Sequence, residues 1–153
     1  MKTYKVTLVA AFLSISALCL AAEKTIQRSD LPPAVEKSLQ QQLKGATIKG
    51  FATDKEDGRV VYEVQLIVDG HTKDLQFDTS GNLTEVEEEV VLDSLPAEVK
   101  AGLMAKAKNG KITKVESITK QDKLVAYEAQ VEKNGMHSEI QVGPKGEKLR
   151  HEA

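Results

Sequence analysis

The sequence predicts an α+β fold made of two tandem repeats, each a helix followed by a four-stranded antiparallel meander. Three observations predict it. The stretch VVYEVQLIVDGHTKDLQFDTSGN (60–82) returns as VAYEAQVEKNGMHSEIQVGPKGE (125–147): Tyr62 to Gly70 and Tyr127 to Gly135 are both 8 apart, and Gly70 to Gly81 and Gly135 to Gly146 both 11. Upstream, Leu31-Pro32, Val35, Leu39 and Ile48 match Leu95-Pro96, Val99, Leu103 and Ile112 at a constant offset of 64. Within the matched parts, apolar residues recur first every fourth and then every second position, the periods of a helix and of strands. Duplication over the whole unit makes each copy one supersecondary block, and the blocks are 23–90 and 91–153.

Residues 1–22 are expected to lie outside the fold. MKTYK is basic and VTLVAAFLSISALCLAA is apolar and uncharged, the layout of a secretory signal peptide, with cleavage expected after Ala22 or Ala21. The run is short for a bilayer span, and Leu18 stands where lipoprotein processing at Cys19 would want a small residue. Removing the segment takes away Lys2, Lys5 and no acid, so the net charge goes from −2 to −4, and it takes the one cysteine with it. The product is expected to be periplasmic or extracellular, without disulfides or thiol chemistry, and to have no membrane association after cleavage. Mild acidity without a basic stripe argues against nucleic acid.

Each block opens with a helix. Asp30 or Ser29, and Ser94 or Asp93, are candidate N-caps, and a Pro in the first turn sacrifices no needed hydrogen bond. Leu31, Val35, Leu39 and Leu43, and then Leu95, Val99, Leu103 and Ala107, lay an apolar stripe along one helix face. Gly45 and Gly110 stand where glycines end helices. Strands follow at about 46–55 and 111–120, then across Asp57-Gly58, Asp69-Gly70 and Asn134-Gly135, which suit the positive φ of two-residue hairpin turns. Ser80-Gly81 and Lys145-Gly146 mark the turns into a last strand at about 82–88 and 147–152. The acidic segment EVEEEVVLDS (85–94) connects the blocks and is too short for a free linker.

Pairing the strands about Asp69-Gly70 sets Tyr62 opposite Phe77 and Val64 opposite Leu75 on one face, and Glu63 opposite Gln76 and Gln65 opposite Asp74 on the other. About Asn134-Gly135, Tyr127 faces Val142 and Ala129 faces Ile140, while Glu128 opposes Gln141 and Gln130 opposes Glu139. The same carboxylate–amide pairs arise twice on one side. The apolar side is expected to carry the helices, with the tyrosines in the core, and the polar side to be open and exposed.

The pattern Leu-Pro-x-x-Val, then Tyr-Glu-[Val/Ala], then the two glycines with apolar strand residues between them, resembles the PepSY-like family. Two tandem helix-plus-four-strand copies are also similar to the β-lactamase inhibitor protein architecture. The resemblance covers nearly all of 29–153. It implies that the two sheets join edge to edge into one curved sheet with the helices on one face, and that the open sheet face grips a target. The matched residues are core and turn positions, so no inhibitory residue is carried over.

No catalytic constellation is visible. The chain after residue 22 has no Cys, no Gly-x-Ser-x-Gly elbow and scattered histidines (His71, His137, His151), which excludes an arguable nucleophile relay and any recognisable cofactor site. His137 is expected opposite Glu132 with Glu139 two residues along, a mixed nitrogen–oxygen set of the type zinc takes; the reading set against it, and preferred to it, is a solvated His–Glu pair. Glu85, Glu87, Glu88, Glu89 and Asp93 are the densest charge run, either a contact for a basic partner or a solvated strand edge whose charges block aggregation. The expected function is an exported, non-enzymatic protein-binding or inhibitor-like module whose partner, an envelope protein or peptide, meets Glu63, Gln65, Asp74, Gln76, Glu128, Gln130, Glu139 and Gln141. The competing expectations are a structural envelope protein without a specific ligand and a divalent-metal binder.

Overall fold

Every strand pairs antiparallel with its neighbour in sequence, so the backbone runs as one continuous meander from edge to edge. A computed structural model describes residues 24–56, 58–151 and 153. The expected signal peptide, its cleavage point and Asp57 of the first expected turn lie outside them. The order is β1 (Lys24–Thr25), α1 (Pro33–Gln42), β2 (Ala46–Glu56), β3 (Arg59–Val68), β4 (His71–Asp78), β5 (Leu83–Glu89), α2 (Ala97–Ala107), β6 (Lys111–Lys120), β7 (Lys123–Lys133) and β8 (Met136–Val142). The strands form one 8-stranded sheet in the order β1 to β8. Asp69-Gly70 and Asn134-Gly135 both take positive φ, as two-residue turns require. Gln121-Asp122 does the same without a glycine, with φ of 49° and 61°.

The helices start later than their candidate caps. Arg28–Asp30 and Leu92–Ser94 form short 3-10 turns, and Pro32 and Pro96 are the N-caps, without a side-chain cap bond. Each proline drives the preceding Leu31 or Leu95 into extended backbone, so a helix cannot run through from Asp30 or Ser94. Those side chains serve the 3-10 turns instead: Asp30 accepts from the Gln27 N–H and Ser94 Oγ donates to the Val91 carbonyl. At the other end of α2, Lys108 and Asn109 take the left-handed conformation, not Gly110. Gly110 is needed for a different reason, because a Cβ there would collide with Val131 and the Ala107 carbonyl.

Two apolar clusters lie under the helices. Val35 and Leu39 of α1 pack on Val64, Leu66, Leu75 and Phe77, while Val99 and Leu103 of α2 pack on Val115, Ala129 and Val142. These strand residues share one side of the sheet, so both helices cover the same face. Tyr62 and Tyr127 sit half-buried against the two clusters and not at their centres.

The second half lacks its expected last strand: residues 147–151 form none. In the first half, Asp78 builds the turn into β5, its carboxylate accepting from the Ser80 and Asn82 N–H groups and the Asn82 amide. Those bonds hold the Asp78 carboxyl below the usual carboxylate range, the Asn82 amide foremost. Gly143 occupies the matching place and has no carboxylate. The backbone bonds are nevertheless the same in both turns: the Asp78 N–H meets the Asn82 carbonyl at 3.0 Å, as the Gly143 N–H meets the Glu147 carbonyl at 2.8 Å.

Candidate functional site

The helix-free face is built by alternation. Because strand side chains alternate between faces, a register that puts Tyr62, Val64, Ala129 and Val142 under the helices puts Glu63, Gln65, Asp74, Gln76, Glu128, Gln130, Glu139 and Gln141 together on the opposite side. The expected cross-strand partners all occur: Glu63 with Gln76, Gln65 with Asp74, Glu128 with Gln141, Gln130 with Glu139. Their hydrogen bonds differ between the halves. Gln141 Nε2 donates to Glu128 across the strands at 2.7 Å, whereas Gln65 donates along its own strand to Glu63 at 3.1 Å and Gln76 reaches Glu56.

The face is less open than the alternation alone suggests. Gln141 is only 6% exposed, and the other residues of that set are half-buried. Ile118 and Ala126, on the same side, are fully buried although no helix lies over them. Side chains shielded without a covering layer are shielded by each other, as on the inner side of a sheet that coils with its natural twist. At the β8 end the chain terminus adds cover, since the Ala153 N–H donates to Gln141 Oε1 at 2.7 Å.

The acidic run becomes the middle of this face. The sequence placed a strand at about 82–88 and read the charges as a connector or a solvated edge; the strand is β5, an interior one paired on both sides. Glu85, Glu87 and Glu89 point to the helix-free side, opposite Lys120, Ile118 and Glu116 of β6. Glu85 is 8% exposed and Glu116 5%. Lys120 pairs with Glu85 at 3.1 Å and Lys114 with Glu116 at 2.6 Å. Burial raises the Glu85 carboxyl above its ordinary value, and Lys120 opposes that rise. The Thr72 N–H and hydroxyl both donate to Glu89 Oε2, at 3.0 and 3.1 Å, and the N–H foremost holds that carboxyl low.

Glu87 has apolar Ile118 across from it and no lysine. Its carboxyl is pushed up to about 9, by burial first and then by the charges of Glu85, Glu128, Glu116 and Asp74. Near neutral pH it therefore carries a proton. One oxygen each of Asp74, Glu87 and Glu116 lies within 4.8 Å of the others. Such oxygens suit a hard cation, but a proton on Glu87 already relieves the repulsion that a cation would relieve. Glu132 and His137 are cross-strand partners as expected, both exposed, with Glu139 half-buried nearby.

Sequence reasoning missed Glu85, Glu87, Glu89, Lys114, Glu116 and Lys120 as one site. The usable signal was the alternation Glu85-Val86-Glu87, which marks a two-faced strand in what reads as a block of charge. Pockets are slight by comparison. One of about 210 Å³ lies beside the β3–β4 turn against Val68, His71, Lys73 and Glu88, below the roughly 300–1,000 Å³ of small-molecule sites.

The family described as "Putative beta-lactamase-inhibitor-like, PepSY-like" matches residues 60–149. No curated protein matches the chain. Among solved structures, one described as a "putative periplasmic" protein from Bacteroides eggerthii shares 23% identity over 78% of this chain and 86% of its own, with a TM-score of 0.63. A DUF2874 family protein from Bacteroides ovatus shares 20% identity over 79% of this chain and 86% of its own, TM-score 0.60. A BLIP-like protein from Bacteroides fragilis shares 22% over 76% and 82%, TM-score 0.56. At these identities the likeness is one of fold. Among the described residues, no helix is long and apolar enough to cross a membrane.

Proposed function

The chain belongs to the PepSY-like, β-lactamase-inhibitor-like family, and from that premise we propose that it is an exported, non-enzymatic module that binds a protein through its helix-free sheet face. The observation that carries this reading is the charge of that face. Glu63, Asp74, Glu85, Glu89, Glu116, Glu128, Glu132 and Glu139 share it with the protonated Glu87 and with the cations Arg59, Lys111, Lys114 and Lys120, so carboxylates are in excess. A surface with such an acidic excess attracts partners of opposite charge and discriminates against others. The partner is therefore an envelope protein or peptide that presents Lys or Arg. Export is supported by residues 1–22 and by the periplasmic description of a fold relative. The reading of two tandem blocks, 23–90 and 91–153, gains support from a repeated close approach: Gly81 lies against the Ala34 carbonyl of α1 as Gly146 lies against the Glu98 carbonyl of α2.

Capture from an envelope extract tests the proposal. The immobilised protein should retain a stoichiometric partner, and the double variant Glu63→Gln, Glu128→Gln should lose at least about nine-tenths of it. Because Gln keeps hydrogen-bonding capacity while removing charge, the urea midpoint of the variant should move by less than about 1 kcal/mol equivalent. Retention of no partner by the wild type points to the structural envelope role instead. Full retention by a normally folded variant removes this face from consideration. Equilibrium dialysis against calcium and against zinc tests the metal-binding alternative.

A further inference from the structure

The outer edge of β8 is an unfilled strand position, and we propose that it takes up an extended segment of the partner protein, bearing Lys or Arg at alternate positions, as an added strand. The inference rests on the partner-binding reading of the helix-free face and adds the partner's conformation.

Comparison of the two halves exposes the vacancy. β4 and β8 match at an offset of 65, so Asp74, Leu75 and Gln76 correspond to Glu139, Ile140 and Gln141. Beyond β4 lies β5, which pairs Glu87 with Asp74, Val86 with Leu75 and Glu85 with Gln76. Beyond β8 lies no strand among the described residues, because β8 ends the sheet they form. The packing records the difference: Leu75 is 0% exposed, whereas Ile140 is only partly buried and His137 and Ser138 are exposed.

Backbone direction follows from the turn. Asn134-Gly135 is a two-residue hairpin loop with positive φ at both positions, so Lys133 and Met136 close it as a hydrogen-bonded pair. The N–H and C=O groups of His137, Glu139 and Gln141 then point away from β7. The side-chain bonds agree, since Lys106 Nζ reaches the outward Gln141 carbonyl at 2.8 Å. In the first half, the Thr84 hydroxyl reaches the corresponding Gln76 carbonyl at 3.1 Å. The terminus and Lys106 occupy the Gln141 end, which leaves Met136–Ile140 as the accessible stretch.

Charge selects the occupant. A residue placed across from Glu139 on the helix-free side meets an acidic surface that includes Glu128 and Glu132, so a cation is favoured there. The next residue, over Ile140, would be apolar, as Val86 is over Leu75. A second copy pairing through the same edge would bring two acidic faces together, and like charges directly opposed are destabilising. Strand addition takes its affinity from main-chain bonds and its selectivity from alternate side chains.

The test uses the whole protein and a short acetylated peptide alternating Val and Lys, with a second version N-methylated at alternate residues to remove backbone donors without changing charge. The plain peptide should bind and slow amide exchange at His137 and Glu139, while N-methylation should weaken binding at least about tenfold. His137→Pro should weaken it as much and melt near the wild type, because that N–H is not in the β7–β8 ladder. Equal binding of both peptides and of His137→Pro would mean attraction by charge alone, overturning strand addition while leaving the partner-binding face standing. No binding, or a peptide-free dimer that protects Glu139, would also overturn it. Glu63→Gln alone reports on the earlier reading separately, since Glu63 lies in β3, away from the β8 edge.

Discussion

An unfolded chain releases the Glu87 proton near the ordinary value of 4.5, whereas the folded one holds it to about 9. Between these values the folded state carries the extra proton, so this residue's contribution to stability is fully present below about 4.5 and is lost as pH rises through about 9. Glu87→Gln removes that dependence. The variant should match the wild type near pH 4 and exceed it increasingly above, by up to about 1.4 kcal/mol for each pH unit. Urea melts of both proteins across that range check the slope, and parallel curves would mean that Glu87 ionises normally. The carboxylate–amide pairs were legible in the sequence because turn residues fix register and register fixes the partners. Glu87 was not, since a carboxyl buried among carboxyls looks, in one dimension, like any solvated charge run.

At the scale of elements, the helix stripes and β2–β8 followed from period and turn chemistry, while three local outcomes did not. The helix starts moved because Pro32 and Pro96 override the nearby capping side chains. The last strand of the second half failed to form where residues 147–151 carry one apolar residue, Leu149, although the turn before them keeps the backbone bonds of its first-half counterpart. Tyr62 moved to the rim because Phe77, its cross-strand partner, fills the centre of the first cluster. The turns that follow β4 and β8 are anchored alike, by Gly81 and Gly146, both at positive φ and both too close to a helix carbonyl for any Cβ. Gly81→Ala and Gly146→Ala should therefore each destabilise by roughly 1–3 kcal/mol, through backbone strain and displaced helices. Gly135→Ala is the informative control: its φ is 75°, but nothing lies within 4 Å of a Cβ there, so strain alone remains. Thermal melts should rank it above both anchored variants, and the reverse order would show that the helix contacts are slack.

Whether the molecule behaves as one body or two is decided at β5 and β6. The repeat suggests two separable units, and helix and strand periods carry no information about pairing between them. The structure joins them through five register pairs, Glu85↔Lys120 to Glu89↔Glu116. Side chains cross the same seam: Lys120 to Glu85 at 3.1 Å, and the Thr72 hydroxyl to Glu116 at 3.5 Å. Pulling the halves apart would expose the strand edges of β5 and β6 and strip Lys120 from a carboxylate only 8% exposed. The backbone bonds of the seam, at roughly 0.5–1.5 kcal/mol each, are a large share of the about 5–15 kcal/mol that small domains hold in total. Loss of either half should thus carry the other with it. Tyr62 and Tyr127 sit against different clusters and report on each half. In a background with Tyr4→Phe, the variants Tyr127→Phe and Tyr62→Phe leave one reporter apiece, and their fluorescence melts in urea should superimpose after correction for each variant's own calorimetric stability. Midpoints separated by more than about 0.5 M urea, on the usual slope of about 1–3 kcal/mol per M, would show that the seam at β5 and β6 is too weak to couple the halves.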